Sequence, residues 1–101
     1  MDFAKEVLKL VKKIPRGRIT TYKILAEELN TKAYRAIGQT LKRNSNAPVI
    51  PCHRVVRSDG GIGGYLGNKI KLKIKLLKTE GIEVKNGRVV NFGKRLWKKV
   101  V

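Results

Sequence analysis

Cys52 and His53 are the single cysteine and the single histidine of the chain, and they stand side by side between Pro51 and Arg54. A thiol becomes a nucleophile by losing its proton, and at a reference pKa of about 8.5 little of it is ionised near neutrality. A neighbouring base and positive charge raise that fraction, and His53, Arg54 and Arg57 offer both. Taken alone, the pair is equally consistent with a buried structural cysteine, since free cysteine is commonly buried. One cysteine and one histidine cannot complete a tetrahedral site, so neither a metal nor any other cofactor is expected.

The charge balance points to a partner. The 101 residues include 24 Lys+Arg against 7 Asp+Glu, a net charge of +17. Folding does not call for such an excess, because self-repulsion opposes compaction. A polyanion does, and nucleic acid is the default. A lysine-rich thermophile surface is the alternative, but it usually carries matching glutamates. At 42% hydrophobic residues the chain can fold, and its length suits one small domain spanning residues 1–101. A lone cysteine makes no internal disulfide, and no apolar run approaches a membrane span. A cytoplasmic setting is expected.

The elements that must position Cys52 follow from periodicity. Phe3, Val7, Leu10, Val11 and Ile14 recur at helical spacing with Asp2 as N-cap, and Pro15-Arg16-Gly17 ends the run. Thr20 or Thr21 caps a second helix carrying Tyr22, Leu25, Ala26 and Leu29, which ends near Asn30. A third runs from Ala33 to Arg43. Two short helices joined by a polar turn predict a helix-turn-helix over about residues 20–43. Residues 44–67 form the loop around Cys52. Within it Cys52 to Arg57 reads as a short strand, and Ser58 to Gly67 carries five glycines. Lys69 to Leu77 fits a strand by alternation and a helix by face, with Gly81 as a stop. Asn86-Gly87 between Ile82-Glu83-Val84 and Val89-Val90 predicts a hairpin. The fold class is α+β, mostly helical, a winged helix-turn-helix with short strands.

The string Pro51-Cys52-His53-Arg54-Val55-Val56 does not stand alone. Arg18-Ile19-Thr20-Thr21-Tyr22, Arg35-Ala36-Ile37-Gly38, Asn44, Gly63-Gly64-Tyr65 and Leu76-Leu77 before Glu80-Gly81 accompany it in order. From about Phe3 to Gly81 the chain resembles the O6-alkylguanine-DNA alkyltransferases. That resemblance implies a repair reaction in which an alkyl group moves from guanine to Cys52 and stays there. It implies that His53, acting through a water, takes the thiol proton, that Glu80 orients His53, and that Asn44 links the recognition helix to the active-site loop. Tyr22 then donates a proton toward the departing guanine and helps rotate the target phosphate. Arg35 enters the base stack in place of the flipped nucleotide. Ala36, Gly38 and Arg54 join Tyr22 and Arg35 on the DNA, while Val55, Gly63, Tyr65 and Leu66 form the base pocket.

The partner so implied is double-stranded DNA containing O6-alkylguanine, approached from the minor-groove side by a monomer at the nucleoid. The chain departs from the family pattern in lacking an N-terminal domain and in carrying Leu66 where a serine is frequent. Two other readings compete. One is a non-catalytic alkyltransferase-like protein that marks lesions, a class with another residue in place of the cysteine. The other is a winged-helix regulator, which would need base-reading side chains that the third helix lacks. The segment Phe92 to Val101 lies beyond the resemblance, as a phosphate-contacting arm or a tail anchored by Trp97.

Overall fold

The computed structural model describes residues 2–66 and 68–98. Helix α1 spans Phe3–Val11, and the Asp2 carboxylate caps it by accepting from Lys5 N–H. After Val11 the chain tightens into i→i−3 bonds, from Lys13 N–H to Leu10 and from Ile14 N–H to Val11. That last turn tucks Ile14 into the core although it has left the helix. Phe3, placed by its spacing on the apolar face, is 36% exposed.

Thr20–Thr21 forms β1, and Thr21 caps α2 (Tyr22–Glu28) by accepting from Ile24 N–H at 3.0 Å. Asn30 ends α2 in the left-handed region, φ 54°, with Thr31 N–H closing onto Ala26. This turn sets the angle to α3 (Tyr34–Lys42), completing a helix-turn-helix. Val7, Leu10, Val11, Leu25, Ala26, Ile37 and Leu41 from the three helices make one core.

The stretch Cys52 to Arg57, read as a strand, divides. Cys52–Arg54 is a single 3-10 turn, and only Val55–Val56 is extended, as β2. Strands β1 and β2 pair in parallel, Thr20 with Val55 and Thr21 with Val56. Side chains alternate along a strand, so Val55 faces the three-helix core while Val56 faces a second cluster of Ile19, Ile62, Leu77, Ile82 and Val89. Cys52, itself in the first core, thus stands just ahead of the strand that forms the seam between the two.

The ambiguous segment is helix α4, Ile70–Thr79. Burial of Lys73 and Leu77, one turn apart, with Ile70 and Leu72 exposed, follows a helical face and defeats the alternation. Gly81, φ 82°, ends it: Gly81 N–H bonds to Lys78 and Ile82 N–H to Leu77. Strands β3 (Val84–Lys85) and β4 (Arg88–Val89) form the hairpin wing, with Asn86 and Gly87 both at positive φ. Beyond it, helix α5 (Phe92–Arg95) leads into a segment bound along Ile19. Trp97 packs on the first core, so this part of the C-terminal segment is anchored; Lys99 to Val101 lie outside the described residues, as does Gly67. Among the described residues no helix is long and apolar enough to cross a membrane.

Ile37 supports α3 from beneath with no exposed surface. Ile37→Ala is expected to lower unfolding free energy by about 2–5 kcal/mol, whereas Phe3→Ala, already partly in water, should cost less than about 1 kcal/mol. Urea denaturation of both variants measures the difference.

Candidate active site

Cys52 opens the 3-10 turn, 5% exposed, at the floor of an open cleft of about 200 Å³. Tyr22 from the start of α2, Gly38, Leu41 and Lys42 from α3, and Gly64, Tyr65 and Leu66 from the glycine-rich loop line the cleft with it. Asn44 follows α3 and ties it to the loop, since its Nδ2 donates to the Ile50 carbonyl at 2.9 Å and its Oδ1 accepts from Asn46 N–H at 3.0 Å. The Asn44 and Tyr65 side chains both favour the ionised form of Cys52.

Behind the thiol lies a buried chain of polar contacts. His53 Nε2–H donates to Glu80 Oε2 at 3.0 Å. Arg54 grips the same carboxylate with two donors, Nε to Oε1 at 2.8 Å and Nη2 to Oε2 at 2.7 Å, and its Nη1 donates to the Ile14 carbonyl at 2.8 Å. Arg54 is thus turned inward. Its expected place on the DNA is not where its guanidinium lies, because Glu80 and Ile14 hold it by three hydrogen bonds. The Glu80 contact puts a proton on Nε2, which leaves Nδ1 as the accepting nitrogen, buried and unpaired among the described residues.

Burial pushes the Cys52 thiol up from its ordinary value, although Asn44 and the charge of Lys73 pull the other way. The resting group is a thiol. This overturns the expectation that Arg54 and Arg57 favour the thiolate: Arg54 is neutralised by Glu80, and Arg57 pairs with Asp59 at 2.9 Å on the surface. Burial also lowers His53 below its ordinary value, against the upward pull of Glu80, and so keeps it a neutral base. Burial alone would raise the Glu80 carboxyl, but bonds from Arg54 and His53 hold it below its ordinary value. Desolvation raises both phenols, Tyr65 to about 12, so Tyr22 and Tyr65 remain proton donors at neutral pH.

Two expected pocket residues lie elsewhere. Val55 is fully buried in β2, and Gly63, φ 68°, does not line the cleft although a Cβ there would come within 3.7 Å of the Tyr22 hydroxyl; Gly64 lines it instead. Leu66 is at the wall in the left-handed region, φ 44°, which a branched side chain rarely adopts. On α3, Arg35 and Ala36 are exposed, and a Cβ at Gly38 would meet nothing within 4 Å. Helix packing does not require that glycine.

Lys73 was not visible among the many lysines of the sequence. It is fully buried, and its ammonium donates to the carbonyls of Val55, Ile62 and Gly64, the first at 2.7 Å and the last at 3.1 Å. Burial pulls it down to about 8, an effect that Cys52 would partly offset only as a thiolate. Its one signal is position: it shares the buried face of α4 with Leu77.

The chain is similar to known proteins over most of its length. The sequence profile of the 6-O-methylguanine DNA methyltransferase DNA-binding domain matches residues 2–82. The methylated-DNA–protein-cysteine methyltransferase of Saccharolobus islandicus is 45% identical over 82 residues, 81% of this chain and 52% of its own. The crystal structure of O6-methylguanine-DNA methyltransferase from Pyrococcus kodakaraensis superposes with a TM-score of 0.72 at 45% identity, over 80% of this chain and 47% of that one. Atl1 of S. pombe, in complex with damaged DNA containing O6-carboxymethylguanine, superposes with a TM-score of 0.84 at 27% identity, over 95% and 94%. The chain spans about half the length of the Saccharolobus relative it matches.

Lys73→Met keeps the length of the side chain and removes its donors. A buried carbonyl left unpaired costs roughly 1–3 kcal/mol, and part of that is offset by no longer burying a charge. A net loss of about 2–4 kcal/mol in chemical denaturation is expected, with faster amide exchange in the loop between Val56 and Gly64. A variant as stable as the parent would reduce Lys73 to a space-filler.

Proposed function

The chain belongs to the 6-O-methylguanine DNA methyltransferase family, and from that premise we propose that it reverses alkylation damage in DNA by taking the alkyl group of O6-alkylguanine onto Cys52. The observation that carries this reading is the buried order Cys52, His53, Glu80 and Arg54 beneath a cleft open to solvent.

The proton of the Cys52 thiol passes to His53 Nδ1, directly or through a water, while Glu80 stabilises the imidazolium that forms. Sγ attacks the alkyl carbon and forms an S–C bond as the bond from carbon to guanine O6 breaks. The electron pair goes to the purine, where a proton from Tyr22 meets it. The product is a neutral thioether. No second acid–base pair faces it among the described residues of the cleft, so each molecule reacts once.

The target atom is inside the duplex, and the base must leave the stack to reach the cleft. The exposed face of α3 suits that task. Ala36 and Gly38 present little bulk toward the minor groove, and Arg35 on the first turn fills the gap. The excess of basic residues supplies phosphate contacts. The partner is then double-stranded DNA, bound by a monomer at the nucleoid. Superposition on nearly all of Atl1 favours a second reading, lesion binding without transfer; Cys52 and its proton acceptor argue against it.

Incubation with a duplex holding one O6-methylguanine should add one methyl group to the protein by intact mass, in step with loss of the lesion. Cys52→Ala should add none, and His53→Ala should slow transfer by about 10²–10⁴-fold. An unchanged mass with tight, lesion-selective binding would instead establish the lesion-binding reading.

The pH dependence separates the base mechanism from a free thiolate. His53 titrates below 6.5, so its neutral form persists at pH 7 and is lost only as pH falls through that lowered value, while Cys52 stays protonated. The single-turnover rate should therefore not climb with thiolate formation from pH 7 to 8, where Lys73 also titrates, and should decline only as pH falls through the lowered His53 value. A rate climbing about tenfold per pH unit through 7–8 would mean that unassisted thiolate is the reactant.

A further inference from the structure

Helix α4 ends where Glu80 must be delivered. Its last carbonyls have no donors within the helix. Gly81 and Ile82 turn back onto Lys78 and Leu77, and two arginines from distant segments take the carbonyls on either side of Glu80. Arg16 Nη2 donates to Thr79 at 2.7 Å, and Arg95 Nη2 donates to Gly81 at 3.0 Å. Arg95 Nη1 also reaches the Gly17 carbonyl at a longer 3.4 Å. Gly17 itself lies against this point, since a Cβ there would be 3.5 Å from the Glu80 carbonyl oxygen.

Arg95 is held in turn. Ile19 N–H donates to the Arg95 carbonyl at 2.9 Å, Trp97 N–H donates to the Ile19 carbonyl at 2.7 Å, and Arg18 donates to the Lys94 carbonyl. Ile19 runs directly into β1 and Tyr22. A single short helix, α5, therefore grips the backbone beside Glu80 and the segment that leads to Tyr22. It lies beyond residue 82, where the profile match ends.

We infer that Arg95, assisted by Arg16, is a positioning residue for the reaction at Cys52: it fixes the backbone around Glu80 so that the carboxylate stays on His53. A cation at a helix C-terminus is favoured by the helix dipole. A planar guanidinium can bridge two carbonyls from two segments, which a lysine ammonium does less well. A contact such as Glu80 to His53 holds only if its support is fixed to a fraction of an ångström. The inference rests on the alkyl-transfer reading.

The test compares Arg95→Ala and Arg95→Lys with Glu80→Gln. His53 is the only histidine, so its ring protons can be titrated by NMR without ambiguity. The charges acting on it are Glu80, Arg54 and Lys73, and loosening Glu80 removes the one that raises its pKa. Arg95→Ala should slow transfer at saturating DNA about fivefold and move the His53 titration downward, as Glu80→Gln does but by less. Arg95→Lys should recover part of both, and it carries the test if the alanine variant does not fold. Slowed transfer with an unmoved His53 titration, or weakened DNA binding alone, would overturn the inference. If the wild-type protein transfers no alkyl group, the reaction reading fails, while the His53 titration still decides whether Arg95 acts through Glu80.

Discussion

The Glu80 carboxylate is where the separate parts of the chain are brought to account. It arrives at the C-terminal end of α4, while His53 and Arg54, which meet it, lie 27 and 26 residues earlier. The pair Glu80–Arg54 is nearly dry, at 6% and 14% side-chain exposure. A buried charge is tolerated only when it is paired and its remaining lone pairs are used. Arg54 and His53 make three hydrogen bonds to this carboxylate, and Arg54 gives a further donor to Ile14 at the end of the first core. The same contacts that make the burial possible thus fix the 3-10 turn that begins with Cys52.

Burial also sets the chemistry. A thiol in an apolar core is hard to ionise, and a histidine beside it is hard to protonate. Both shifts favour the neutral pair. The proton must then move within the site at the moment of reaction, and the charge that develops is met by groups already in place, Glu80 behind the ring and Lys73 beneath the loop. Lys73 serves the backbone as well as the field. One ammonium joins three carbonyls, Val55 from β2 and Ile62 and Gly64 from the glycine-rich loop.

The surface makes a different trade. An excess of positive charge opposes compaction, and a glycine inside α3 costs about 1 kcal/mol relative to alanine. The 24 basic residues outnumber the 7 acidic ones that could pair with them, and Gly38 has open space where a Cβ would go. Features that weaken the free protein without a structural return make sense when another molecule approaches that face.

The sequence alone determined the local rules and the reactive types. Asp2 as a cap, a second cap at Thr20 or Thr21, Asn86-Gly87 as a turn, Gly81 as a helix stop and the adjacency of Cys52 and His53 are all short-range facts, readable because backbone geometry and residue type settle them within a few positions. It also held the excess charge, which is additive and needs no fold. What only the tertiary structure decided depends on burial and on partners far away in the chain. Arg54 reads as one basic residue among 24 until Glu80 is seen to claim it. Lys73 reads as solvated, because nothing in a lysine-rich helix tells which lysine faces three carbonyls. Val55 left the pocket because the one-residue alternation of a two-residue strand turned it to the core. The thiol, expected to be ionised by its neighbours, stays protonated because desolvation outweighs charges that are already spent on carboxylates.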